Sequence, residues 1–176
     1  MKKSTRYLTF SAMLSALGII IPLIMPKIVI GDAASYTLAS HVPLFIAMFM
    51  GPDVALLVGL ATSLGFFISL PPIVAARAFS HLFWAIPMAL ILKRHHQKLM
   101  QSKMHIPVNL LIGFFHALFE CIAVGIFYAS NLNDLSFLLK TILLPIGIGG
   151  FIHSLIDFQL SIFVYRRLPD QLKLTR

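Results

Sequence analysis

The chain has 176 residues, 59% of them hydrophobic and 11% charged, against about 45–50% apolar and about 25% charged in soluble domains. With a mean hydropathy of +0.91, this excludes a disordered chain and a soluble enzyme on one anchor, and points to an all-α membrane protein in one domain, 1–176. Lys and Arg number 14 against 6 acids, a net charge of +8. The basic residues lie between apolar segments with no aromatic-interleaved face, so they mark membrane flanks rather than a nucleic-acid surface.

At about 20 residues per spanning helix, six spans use about 120 residues. That leaves no room for an ATPase domain or a large soluble catalytic domain. The first span is expected over about 7–25. Lys2, Lys3 and Arg6 precede it, as in a signal peptide. The run Leu8–Met25 is too long for that, and no small-x-small site follows it, so it reads as an uncleaved helix. A loop from Pro26 to Tyr36 comes next, with Lys27, Gly31 and Asp32. The second span, about 37–50, carries His41 and Pro43 and is short for a full crossing. Gly51-Pro52-Asp53 marks a turn, and the third span covers about 54–70. Pro71-Pro72 separates it from the fourth, about 73–92. The basic stretch Lys93–His105 is the longest hydrophilic loop. The fifth span is about 106–128, followed by a polar turn at Ser130–Asp134. The sixth is about 141–165, cut from an apolar run too long for one vertical helix.

Eleven of the fourteen basic residues fall in three clusters: the N-terminal one, then Lys93, Arg94, Lys98 and Lys103, then Arg166, Arg167, Lys173 and Arg176. Six spans put all three on one side, so the positive-inside rule places both termini in the cytoplasm. Cys121 is the only cysteine and reads as a packed core side chain, with neither a disulfide nor a cysteine-based metal site in view.

Ionisable side chains within spans are costly and face a cavity or a partner. Three pairs are spaced i, i+4 on one helix face: Arg77 with His81, His116 with Glu120, and His153 with Asp157. Arg77, His81, Glu120 and His41 fall in the outer halves of their helices and are expected to line one outward pocket. Trp84 lies near the line of Arg77 and His81. On the fifth helix Asn109, Gly113, His116, Glu120, Ala123 and Phe127 form a stripe that should face other helices. The bland alternative is a structural Arg77–Glu120 ion pair, with His153 and Asp157 also structural. No His-Glu-x-x-His or Gly-x-Ser-x-Gly is written, so an intramembrane enzyme is disfavoured. The i, i+4 His–carboxylate pairs alone do not establish a metal site. An autonomous proton-coupled carrier or channel is the alternative reading, weakened by the absence of an internal repeat.

On the first helix, Ala12-x-x-x-Ala16 and Ser11-x-x-x-Ser15 place small side chains where another helix can approach closely. With Tyr36–Pro43, the stretch Arg77–His81 and the basic-inside six-span plan, the chain resembles the S component of energy-coupling factor (ECF) vitamin transporters. The resemblance covers essentially the whole length. It implies a non-enzymatic subunit in the cell membrane that captures a small vitamin at its outer face. It implies docking of a membrane T subunit against Ala12 and Ala16, and two cytoplasmic ATPases that use the ATP, with no cofactor in this chain. The site it implies draws on the first and third outer loops and the outer parts of helices four to six. The very short third loop, Pro71-Pro72, departs from that plan. The expected ligand contacts are Tyr36, His41, Arg77, His81, Trp84, His116 and Glu120. Arg77 suits a carboxylate or phosphate, whereas Glu120 with His81 and His116 suits ring amines and hydroxyls. Tyr36 and Trp84 are expected to stack on a ring. If Glu120 neutralises Arg77, a neutral heteroaromatic such as pyridoxine or hydroxymethylpyrimidine is favoured, with nicotinate next.

Overall fold

The computed structural model describes residues 5–30, 34–100 and 103–169, without the side chains of Arg6 and 96–100. Lys2, Lys3, Gly31, Asp32, Lys173 and Arg176, and the side chains of Arg6 and Lys98, lie outside the described part.

Five helical stretches are long and apolar enough to cross a membrane, among the described residues: Tyr7–Ile24, Pro52–Ser69, Pro72–His95, His105–Phe127 and Leu135–Arg167. The protein is an all-α multi-pass membrane protein apart from one small hairpin. Helix α1, Thr5–Ile24, is followed by strands β1, Lys27–Ile30, and β2, Ala34–Thr37. The strands pair antiparallel with Lys27 opposite Thr37 and Ile30 opposite Ala34. The loop after the first span is therefore a β-hairpin, which periodicity over so few residues does not reveal.

The second span departs most from expectation. Helix α2 is only Val42–Met50, nine residues and all buried, so it rises about 14 Å where the hydrocarbon core is about 30 Å. The pass is completed by β2 and the turn that joins it to α2. Tyr36 donates a hydroxyl hydrogen bond to the Pro145 carbonyl, and at the far end Tyr7 donates to the Met50 carbonyl. Pairing with β1 and the hydrogen bonds to Asp157 satisfy part of this non-helical backbone, which lowers the cost it would incur against lipid. The turn carries Ala39 at φ 68°, a left-handed conformation that costs a β-carbon-bearing residue on the order of 1–3 kcal/mol.

Helix α3, Pro52–Ser69, leads through Leu70-Pro71 into α4, Pro72–Ser80, and α5, Leu82–Met100. The fourth pass is thus locally broken at His81, and it ends where His95 leaves helical geometry (φ −130°, ψ 23°). Helix α6 is His105–Phe127. A short α7, Leu135–Phe137, runs into a π-helical segment, Leu138–Gly149, and then α8, Gly150–Arg167. Pro145 inside that segment has no N–H to give, and widening the helix is one way to absorb the defect.

The core is a column of Phe45, Phe49, Phe158, Trp84 and Leu92 around α2. Phe45 and Phe158 meet edge to face at 5.3 Å, and Phe49 and Tyr165 at 5.1 Å. Since Tyr7 and Tyr165 both reach the end of α2, both ends of the described chain lie at one end of the bundle. Helix α1 is peripheral: Leu8, Met13, Leu17, Ile20 and Ile24 are exposed, and so are Ala12 and Ala16. Ser11, Leu14 and Gly18 form its inward face.

Candidate vitamin-binding site

A cavity of about 220 Å³ opens between α1, the hairpin, α3 and α4, and its depth is bounded by side chains from four passes. Arg77 of α4, His81 at the helix break, and Glu120 of α6 form its polar wall. Ser40 and His41 of the turn close another side. Leu44, Phe66 and Val74 supply apolar surface, and Lys27, Val29, Ala34 and Ser35 of the hairpin cover it.

The polar wall is held by two interlocked groups. In the first, Arg77 Nη2 donates to Glu120 Oε2 at 3.0 Å, and His81 Nε2 lies 3.0 Å from Oε1. His116 Nε2 is 3.1 Å from His81 Nε2 and 3.6 Å from Glu120 Oε1. All four side chains are buried, which only a neutralised and hydrogen-bonded charge sustains. Gly150 permits the packing, since a β-carbon there would lie 3.2 Å from Glu120 Oε2.

In the second group Asp157 of α8 accepts the amide N–H of Ala39 at Oδ1 and that of His41 at Oδ2, each at 2.9 Å. These bonds tie the strained turn to α8. His41 Nδ1 and His153 Nε2 are 3.1 Å apart, at 3.3 and 3.4 Å from Asp157 Oδ2. The His41 ring centroid is 4.6 Å from that of His116 and 4.9 Å from that of His81, so the two groups share one wall.

Five of the expected contacts, His41, Arg77, His81, His116 and Glu120, gather here, and His41, Arg77, His81 and Glu120 line the cavity. His116 stands behind it, fully buried. Trp84 and Tyr36 depart from the expected stacking role. Trp84 is buried with its ring 5.5 Å from that of Phe45, and does not line the cavity. The Tyr36 hydroxyl is engaged by Pro145, and Gly149 makes the approach possible because a β-carbon there would meet that hydroxyl at 2.8 Å. The expected stripe on α6 holds for Asn109, Gly113, His116 and Glu120, which are buried, while Phe127 is exposed. Asp157 holds the turn that carries His41, and His153 lies against the same carboxylate, so this pair does not stand apart from the rest.

Over 165 residues, 92% of this chain and 73% of the relative, the sequence is 42% identical to the niacin transporter NiaX of Lactococcus lactis subsp. cremoris (strain MG1363). The chain belongs to the S-component family of ECF vitamin transporters. No family model matches the sequence, and no solved structure matches it.

In this S component the residues missed from sequence are Ser35, Ser40, Gly59, Thr62 and Phe66, together with Leu70 and Pro71 of the short third loop. The loop contributes to the wall despite its length because α3 and α4 meet there. The serines, Thr62 and Gly59 carry no cost in a membrane helix that would single them out. Lys27 carried a signal, as a cation between a span and a hairpin, but its place at the cavity depends on how the hairpin folds back.

Proposed function

We propose that this S component captures niacin, as the pyridine carboxylate, at the hairpin end of the bundle. The 42% identity to a protein named for niacin transport carries the substrate assignment. It reverses the order reached from side chains alone, where pyridoxine or hydroxymethylpyrimidine stood ahead of nicotinate. The cavity supports the change. Its volume of about 220 Å³ is below the roughly 300–1,000 Å³ of drug-sized pockets, which suits one small ring. Among the described lining residues two cations, Lys27 and Arg77, face one carboxylate, Glu120, a surplus that favours a monoanion. The carboxylate sits toward Arg77 and Lys27, the ring against Phe66 and Leu44, and the pyridine nitrogen accepts from Ser40 or a histidine.

The hairpin end faces outward and both termini face the cytoplasm. This orientation rests on the basic residues, since Lys93, Arg94, Lys103, Arg166 and Arg167 flank the opposite end. The chain performs no chemistry. A T subunit docks on the exposed Ala12 and Ala16 of α1, where small side chains permit close helix approach, and two cytoplasmic ATPases supply the energy.

The test is a calorimetric titration of the detergent-solubilised protein with niacin, nicotinamide, pyridoxine and hydroxymethylpyrimidine. Niacin should saturate one site per chain. Nicotinamide, lacking the charge, should bind at least about tenfold more weakly, a difference of about 1.4 kcal/mol. Saturation by pyridoxine but not niacin would refute the assignment.

A further inference from the structure

We propose that His41, His153 and Asp157 form a binding site for one divalent transition-metal ion of the zinc class, which clamps the turn before α2 onto α8. Three donor atoms meet there: His41 Nδ1, His153 Nε2 and Asp157 Oδ2, with separations of 3.1, 3.3 and 3.4 Å. The Ser40 hydroxyl joins them, 3.2 Å from His41 Nδ1 and 3.1 Å from His153 Nε2.

Hydrogen bonds alone serve this cluster poorly. A ring nitrogen directs either one N–H or one lone pair, yet His41 Nδ1 faces Ser40, His153 and Asp157 at once. His153 Nε2 faces Ser40, His41 and Asp157 in the same way. The two imidazole–carboxylate separations exceed the usual 2.9–3.0 Å of an N–H···O bond. They do match the edge of a tetrahedron around zinc. Bonds of about 2.0–2.1 Å give donor–donor edges of about 3.3–3.4 Å, since the edge is about 1.63 times the bond. One cation at the centre satisfies the converging lone pairs together. The Ser40 hydroxyl, within 3.2 Å of both ring nitrogens, would serve either as a fourth ligand or as the partner of a bound water.

Charge and support point the same way. Asp157 is fully buried, and its polar contacts are two imidazoles and two backbone amides. The amides hold the carboxylate in place, as supporting hydrogen bonds do around metal-ligating carboxylates. The neighbouring His81–His116–Glu120 group also brings donors together, but Arg77 already lies 3.0 Å from its carboxylate. A dication there would meet a like charge. The ligands come from the turn and from α8, so the ion would fix both the strained Ala39 and the His41 ring on the cavity wall. This inference does not rest on the niacin reading.

The experiment uses detergent-solubilised protein purified without a polyhistidine tag, stripped with chelator and loaded with Co²⁺. The expected result is one Co²⁺ per chain, with visible absorption of a four-coordinate site that one equivalent of Zn²⁺ abolishes. His153→Gln should remove the absorption, and the exposed-site control His95→Gln should keep it. Affinity in His153→Gln should fall by more than the roughly 10–100-fold that loss of a merely supporting residue costs. Thermal unfolding of the wild-type chain gives a second reading that needs no variant: zinc-loaded protein should melt above stripped protein. Absent bands together with equal melting would overturn the proposal, as would bands unchanged in His153→Gln. Niacin titration of the same stripped sample reads the vitamin site separately.

Discussion

Glu120 and Asp157 make an instructive pair. Each is a buried carboxylate on a spanning helix, each has a histidine four residues before it, and each meets two imidazole nitrogens within 3.6 Å. They differ in what else compensates the charge. Glu120 has the Arg77 guanidinium, whereas Asp157 has the amides of Ala39 and His41. The first arrangement is a charged wall on a cavity. The second is a backbone clasp that shapes a turn. The same i, i+4 pattern therefore lines a cavity in one place and anchors a turn in the other, and the third partner decides which.

The largest expected effect comes from breaking the ionic side. Arg77→Ala leaves Glu120 buried without its cation and should cost about 3–5 kcal/mol of stability, along with niacin binding. Thermal unfolding and calorimetry in detergent measure the two losses. Replacing both residues with leucine should recover most of the stability, because both charges go together, while niacin binding stays lost. Recovery of binding in the double variant would remove Arg77 from the site.

The next effect is on the clasp. Asp157→Ala strips two half-buried amides of their acceptor, at up to about 1–3 kcal/mol each. Hydrogen exchange should then rise at Ala39 and His41 before it rises elsewhere. Uniform protection across the chain would show that the turn does not depend on Asp157. Trp84→Phe sharpens the boundary of the site. The ring packs on Phe45 outside the cavity, so niacin affinity should change less than about twofold, equivalent to about 0.4 kcal/mol. A larger loss would bring Trp84 back into ligand contact. The smallest effect on the isolated chain is expected from Ala12→Trp. Ala12 is exposed, so stability and niacin binding should stay unchanged, while co-purification with the T subunit and ATPases is lost. Normal assembly would move the docking face away from Ala12.

Much of this protein is written in its sequence. Long apolar runs point to membrane helices, so the expected spans fall within a few residues of α1, of α3, of the pass Pro72–His95 that joins α4 to α5, and of α6. The cost of burying charge made Arg77, His81, His116, Glu120, His153 and Asp157 visible, because a bilayer leaves such residues few places to be. Local spacing marked Ala12 and Ala16 as small side chains on one face, but only the packing shows that they are exposed. What stayed hidden depends on contacts between distant segments. Nothing local distinguishes nine buried residues of α2 from a short span. The hairpin is too brief for periodicity, and the π-helical segment answers to Pro145 and its neighbours together. Asp157 as the anchor of Ala39 and His41 joins residues more than a hundred positions apart, and contacts with Phe45 and Pro145 hold Trp84 and Tyr36 off the cavity lining. Hydrophobicity and the price of buried charge act residue by residue and can be read along the chain. Which carboxylate meets an arginine and which meets a backbone amide is fixed only when the helices pack.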